Sequence, residues 1–389
     1  MSTAGMRPMG AGVGATRGAV RVRAARADDN DALVALAFAC PMEGDVGLCV
    51  SRAPDFFALH GLEGDAWAAA VAEDAESGAV VGCVAVAERR AWVHGRAADV
   101  TYVYDLKVHP AHRGGPAADA LMRWVPGECE RRGGADALSF LTILAGNARM
   151  ERRTTGQIPG VPRCTRFATI RSYSVMLLGR RRLAAGRSGL RVSRARPEDV
   201  EEMIALWGTV APGRQFSPVL DAERLTHFAA TAPGLGLESY RVARRRDGRI
   251  AGFAAFWDQS SFKQLRVTRY SPRLSAVRLA FNALAPLAGA ATLPRAGGAL
   301  RNVTAFNVCV PADAPGVLRT LVRDAHDDLR AAGNSLLSVG LDTRDPLTAA
   351  LDGLFAQPTD VRAYSCTPSG DYTGPALDGR VLHYEIALV

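Results

Sequence analysis

Lysine is nearly missing from this chain. Only Lys107 and Lys263 occur among 47 basic residues, which leaves 45 arginines beside abundant alanine and glycine. A composition bias of the source genome accounts for such a pattern; a basic surface that attracts an anionic ligand is the functional alternative at a net charge of +8. No stretch interleaves arginines with aromatics as a nucleic-acid groove would, so nucleic acid is not an expected partner. Paired cysteines are missing too. Cys40, Cys49, Cys83, Cys129, Cys164, Cys309 and Cys366 are scattered without a CxxC pair or metal-ligand spacing, which excludes a disulfide scaffold and a bound metal. No apolar run is long enough to span a membrane. The first 19 residues lack the compact apolar core of a signal peptide and read as a disordered tail, so the default location is cytoplasmic.

What remains is the composition of a globular protein, 48% hydrophobic and 22% charged. At 389 residues the chain exceeds one typical core, and two domains are the natural division.

An internal repeat supports that division. At an offset of 170 residues, Arg21, Val22, Ala25, Arg26, Asp29, Ala35 and Leu36 recur as Arg191, Val192, Ala195, Arg196, Asp199, Ala205 and Leu206. In both copies a short alternating strand reaches an Asp-containing helix start. The same offset sets Gly82 on Gly252. Further on, the strand Tyr104–Val108 corresponds to Phe306–Val310 at an offset of 202, so the second copy carries an insert at about 261–300 with a helix over Ser275–Leu287. The expected organisation is a tail at 1–19, a first domain at 20–178, a basic Gly-containing linker at 179–189 and a second domain at 190–389. In the first copy, period predicts strands at Val20–Ala25, Trp67–Glu73, Val80–Glu88, Val100–Val108, Ala137–Leu144 and Thr169–Leu178. Helices are predicted at Asp29–Ala39, Arg52–His60, Pro116–Arg132 and Ala148–Thr154.

The chemistry concentrates in Val103–Met122. A strand ends at Val108, a Pro, His, Arg and Gly turn follows, and the pattern becomes helical at Ala117. A strand that enters a helix through small residues leaves backbone N–H groups unpaired at the helix start, a ready site for a phosphate. The segment resembles the acyl-CoA-binding core of the GNAT superfamily of N-acetyltransferases. Asp105, Leu106, Lys107, Val108, His109 and Pro110 fit its fourth strand. Arg113, Gly114, Gly115, Pro116, Ala117 and Ala118 fit its R/Q-x-x-G-x-G/A phosphate loop. Two positions depart from the pattern: the middle loop glycine is Pro116, which has no N–H to donate, and the usual strand glutamate is Tyr104.

The resemblance implies an α/β (α+β) fold of two tandem GNAT-like domains, each a mixed, mostly antiparallel sheet flanked by helices and splayed at strands 4 and 5. It implies transfer of an acyl group from acyl-CoA, acetyl-CoA foremost, to the amine of a small molecule or of a protein or peptide. The cofactor contacts it implies are Leu106, Lys107, Val108, Arg113, Gly114, Gly115, Ala117, Ala118 and Asn147, with the Lys107 or Val108 N–H facing the developing oxyanion. Asn147 has the alternative of capping the next helix. The catalytic positions are Tyr104 and Asp105. Adjacent strand residues point to opposite faces, so only one of the two faces the site unless the strand bulges. An aromatic wall and a structural hydrogen-bond acceptor are their respective alternatives. The acceptor site falls on Arg52, Asp55, Phe56 and Phe57, with core packing the alternative for the two phenylalanines. In the second copy the loop reads Pro311 to Leu318, with no arginine and with Asp313 where an anion would bind, which repels pyrophosphate; that copy is expected to be a degenerate structural partner. Two other functions stay open: a non-catalytic CoA-binding or partner-binding protein, and an acyltransferase that uses a long-chain acyl-CoA or acyl carrier. Homodimerisation also stays open.

Overall fold

The computed structural model describes residues 18–64, 66–156, 158–179, 189–287, 289–370 and 376–389. Most of the expected tail and of the expected linker lies outside them. The first copy runs β1 (Val20–Ala24), α1 (Asn30–Ala39), β2 (Val46–Ser51), α2 (His60–Glu63), β3 (Ala66–Asp74), β4 (Val80–Val93), β5 (Arg96–Val108), α3 (Ala117–Gly133), β6 (Ser139–Leu144), α4 (Ala148–Thr155) and β7 (Thr165–Met176). The second runs β8 (Arg191–Arg194), α5 (Val200–Val210), β9 (Ser217–Pro218), α6 (Ala222–Thr231), β10 (Tyr240–Arg244), β11 (Ile250–Trp257), β12 (Gln264–Tyr270), α7 (Pro272–Leu284), β13 (Asn302–Cys309), α8 (Pro315–Ala331), β14 (Leu336–Asp342) and β15 (Ala356–Cys366).

Both copies begin alike because the repeated aspartate performs the same task. Asp29 Oδ2 accepts from Arg26 N at 2.7 Å, and Asp199 Oδ2 accepts from Arg196 N at 3.0 Å. Each bond closes the short turn that leads from strand into helix. The counter-charges differ: Arg23 of β1 pairs with Asp29, whereas Arg244 of β10 pairs with Asp199.

One large sheet takes up most strands, in the order β1-β3-β4-β5-β6-β15-β7-β14-β13-β11-β10-β8, with β9 paired to β4. It is mostly antiparallel. The parallel neighbours are β5 with β6 and β13 with β14, each joined through a helix, α3 or α8. The two copies do not sit side by side as separate sheets. β15 lies between β6 and β7, and β7 lies between β15 and β14, so each copy lends its last strand to the other.

Strands β4 and β11 are buried along nearly continuous apolar runs, as central strands covered on both faces must be. Leu121 of α3 packs on Ala70, Val81 and Val84, and Leu321 of α8 packs on Ala251 and Ala254. The repeated glycine marks where each helix presses closest. A Cβ at Gly82 would stand 3.0 Å from Leu121 Cδ1 and from Lys107 O; at Gly252 it would stand 2.8 Å from Val317 Cγ1.

Two local expectations are corrected. The helix expected over Arg52–His60 is a 3-10 turn at Phe56–Leu59 that runs into α2. Pro54 disfavours helical backbone at Ala53, and Asp55 Oδ1 accepts from Phe57 N at 2.8 Å, so the turn starts after Arg52. The segment between α1 and that turn is also not all loop. It holds β2, which pairs antiparallel with β12 in a separate two-stranded sheet, so the insert of the second copy reaches across to the first.

Candidate active site

Strand β5 pairs with β4 as Cys83↔Lys107 and Ala85↔Tyr104, which leaves one extra residue on β5. That bulge holds Asp105 at φ +53°. Aspartate and asparagine tolerate this left-handed backbone better than most residues. The second copy repeats the device: β11 pairs with β13 as Phe253↔Cys309 and Ala255↔Phe306, and Asn307 sits at φ +48°. In each copy the parallel pairing stops as the bulge begins, after Val103↔Leu141 and after Thr304↔Ser338. The sheet splays there.

The bulge overrides the alternation of the strand. Tyr104 and Asp105 are neighbours in sequence, yet both meet His60. The His60 and Tyr104 rings lie 5.2 Å apart, and His60 Nε2 stands 3.9 Å from Asp105 Oδ2. Arg52 Nη1 approaches the same carboxylate oxygen at 3.5 Å, and Lys107 Nζ ion-pairs with the other oxygen. Arg52 is only 2% exposed and His60 is fully buried. Arg52 Nε, His60 Nε2, Tyr104 Oη and Asp105 Oδ2 are buried polar atoms without a hydrogen-bond partner, gathered at one place.

Electrostatics set the protonation states. Burial alone would raise the Asp105 carboxyl, but Lys107, Arg52 and His60 outweigh it and hold the group well below the usual carboxylate range. Loss of hydration pushes His60 down to about 4 against the pull of Asp105. Burial, reinforced by Asp105, pushes the Tyr104 hydroxyl up. At neutral pH the site therefore presents an ionised carboxylate, a neutral imidazole and a protonated phenol.

Beyond β5 the chain turns sharply. Arg113 Nε donates to Val108 O at 3.4 Å, Gly114 takes φ +83°, and Gly115 N donates to His112 O at 3.2 Å. Pro116 is the N-cap of α3, and no side chain caps the helix. The first-turn N–H groups at Ala117 and Ala118 have no partner within a helix by geometry. The first-turn carboxylate, Asp119, is engaged by Arg153 Nε at 2.8 Å. Asn147 Oδ1 accepts from Met150 N at 3.2 Å and caps α4.

Of the acceptor residues expected from sequence, Arg52 joins Asp105, while Asp55 is spent on its turn. Phe56 is buried in the core with Leu33, Leu36 and Val71. Phe57 stacks on Trp67 at 5.8 Å, beside His60. Sequence reasoning missed His60, a lone histidine without a spacing partner. Among the described residues, no group of three or more His, Cys, Asp or Glu is placed to hold a metal ion, and no helix is long and apolar enough to cross a membrane.

The second bulge is filled by the chain itself. Asn307 N donates to Glu385 Oε2 at 3.0 Å and to Oε1 at 3.2 Å, and His383 Nε2 lies 2.6 Å from Glu385 Oε1. Gly340 on β14 leaves room for this segment, since a Cβ there would stand 3.1 Å from Ile386 and Tyr384.

The sequence model of the Acetyltransferase (GNAT) family matches residues 45–152. No curated protein sequence matches the chain. Among solved structures, the chain is similar to a GCN5-related glucosamine N-acetyltransferase region in a fungal multi-domain GH3 beta-N-acetylglucosaminidase. The TM-score is 0.58 at 14% identity, over 90% of this chain and 38% of that one, so this chain spans well under half of the fungal protein. Saccharomyces cerevisiae N-myristoyltransferase with bound myristoyl-CoA gives 0.58 at 14% identity over 89% and 82% of the two chains. A GCN5-related N-acetyltransferase from Sphaerobacter thermophilus gives 0.58 at 15% identity over 91% and 96%. At such identities the likeness is one of fold. The stretch with the bulge and the turn into α3, residues 45–152, belongs to the GNAT acetyltransferase family.

Proposed function

We propose that the protein is an acyl-CoA-dependent N-acyltransferase with one active site, in the first copy. The observation that carries this reading is the bulge at Asp105, which opens the sheet beside four buried polar atoms without a hydrogen-bond partner and leads on to the uncapped start of α3. Arg113 and the first-turn N–H groups of Ala117 and Ala118 suit a pyrophosphate; the Gly115 N–H expected from the sequence is spent on His112 O, and Pro116 withholds one donor. A net hydrogen bond is worth about 0.5–1.5 kcal/mol, so that loss weakens the cradle without removing it.

The donor is a substrate and supplies the acyl group as a thioester. The strand backbone at Leu106, Lys107 and Val108 lines its reactive end and offers an N–H to the developing oxyanion. Tyr104 keeps its proton near neutral pH, and in this reading gives it to the leaving sulfur. Asp105 orders Arg52 and Lys107 around the acceptor, and Phe57 and Trp67 suit an amine with an apolar body.

Acetyl-CoA is the first donor to test. A longer acyl chain is the alternative that the apolar stretch Leu274–Leu287 favours; there α7 has no buried residue and exposes Val277, Leu279 and Leu284. Thiol release from acetyl-CoA across a panel of small-molecule and peptide amines, then across donors of increasing chain length, tests the reading. Turnover supports it and identifies the donor. Acyl-CoA binding with no turnover of any amine would favour a non-catalytic CoA-binding protein.

A further inference from the structure

The only two lysines of the chain lie within electrostatic reach of the same groups, Arg52 and Asp105. Lys107 ion-pairs with Asp105 on β5. Lys263 immediately precedes β12, whose first residue, Gln264, pairs with Ser51 at the end of β2. Lys263 and Arg52 are the residues next to that terminal pair, and Arg52 is the one that approaches Asp105. A guanidinium serves wherever a fixed positive charge is enough, but it does not release its proton in proteins. The chain uses arginine for every other base, so two amines that share Arg52 and Asp105 as electrostatic neighbours mark a need that arginine cannot meet.

We propose that Lys263 is the base that receives the proton of the acceptor amine, a role that rests on the acyltransferase reading above. The other groups at the bulge are poorly suited. The cations around Asp105 hold its carboxyl well below the usual carboxylate range, His60 accepts a proton only near pH 4, and Tyr104 already holds one. Lys263 Nζ donates to Ala387 O at 2.9 Å and to Ile386 O at 3.5 Å, which fixes the amine against the C-terminal turn. The charged groups that face it are Arg52 beyond β2 and Asp105 and Lys107 on β5; Glu385, before the turn, is committed to His383 and Asn307. Neighbouring cations repel. Loss of hydration and the Arg52 charge together lower the Lys263 ammonium to about 7. A neutral amine keeps two N–H groups for the two carbonyls and one lone pair for a proton.

The balance is simple. One proton moves from the acceptor ammonium to Lys263 Nζ. The freed nitrogen forms a C–N bond to the thioester carbonyl carbon, the C–S bond breaks, and its electron pair leaves on sulfur. A second proton from the attacking nitrogen converts the thiolate to the thiol through Tyr104, and Lys263 returns its proton to water.

The scarcity of lysine makes the test direct. The full-length protein labelled with 13C at lysine Cε gives two resonances, assigned with Lys107→Arg and Lys263→Arg. The proposal predicts a Lys263 midpoint near pH 7 without any substrate. It also predicts a wild-type kcat/KM that rises through the same pH, and a Lys263→Arg variant that loses this limb and roughly 10²–10⁴-fold in kcat/KM. A merely structural clamp on Ala387 would be satisfied by arginine and would leave the pH profile unchanged. A midpoint near the ordinary 10.5, or a wild-type profile in Lys263→Arg, overturns the role of Lys263 while turnover still upholds acyl transfer. A midpoint near 7 with no amine acylated by the wild type overturns the acyltransferase reading and this role with it.

Discussion

Asp105 stands between Arg52 and Lys107 with its side chain 9% exposed, so its removal strands a buried guanidinium. Asp105→Ala is expected to cost about 3–5 kcal/mol in urea unfolding, the usual penalty for breaking a buried pair from one side. Tyr104→Phe is the milder change. It keeps the ring stacked on Tyr102 at 5.3 Å and removes only an unpartnered hydroxyl. Stability should stay near wild type while kcat falls by roughly 10²–10⁴, the ordinary range for a lost acid. His60 adds a pH dependence. Its folded-state value lies near 4, below the 6.5 of the free side chain. The unfolded chain therefore binds the extra proton between these values, and stability falls as pH drops from about 6.5 toward 4. Urea midpoints across that window should show the slope in wild type and a smaller one in His60→Gln. The pair Tyr104 and Asp105 was legible because the strand motif is local. Their joint orientation was not, because strand alternation assigns neighbours to opposite faces and only the bulge reverses that. Lys263 carried a signal in composition, but nothing local ties residue 263 to residue 105.

The turn into α3 was readable as an element because Gly114, Gly115 and Pro116 each have a backbone reason to be there. Helix α3 must also lie flat on β4, and Gly82 is where it does so. Gly82→Val is expected to destabilise by about 1–3 kcal/mol through overpacking against Leu121 and the Lys107 carbonyl. Because Lys107 adjoins the bulge, acetyl-CoA affinity should fall with it; thermal unfolding with and without the ligand checks both effects. Strands β2 and β12 were harder to read. Val46, Val50 and Val267 favour strand, but neither segment has a partner nearby in sequence. Each looks like loop or insert until the two copies are packed together.

At the scale of the whole molecule, the sequence repeat does not say how its two copies join. The exchange of β7 and β15 arises from pairing across the copies, which periodicity within either copy does not record. It makes each half incomplete: without β15, β6 and β7 have no strand between them. A fragment ending at residue 179 is therefore expected to lack cooperative thermal unfolding and to be cleaved rapidly by protease, whereas the full chain unfolds cooperatively. The same packing separates the fates of two equal bulges. Glu385 occupies the backbone N–H at Asn307, while the Asp105 bulge stands beside an uncapped helix start. Calorimetric titration of the full-length protein with acetyl-CoA tests this asymmetry and the site together. The account predicts one saturable donor site per chain, weakened at least tenfold by Arg113→Glu. No binding, two sites per chain, or an unchanged affinity in Arg113→Glu would contradict it.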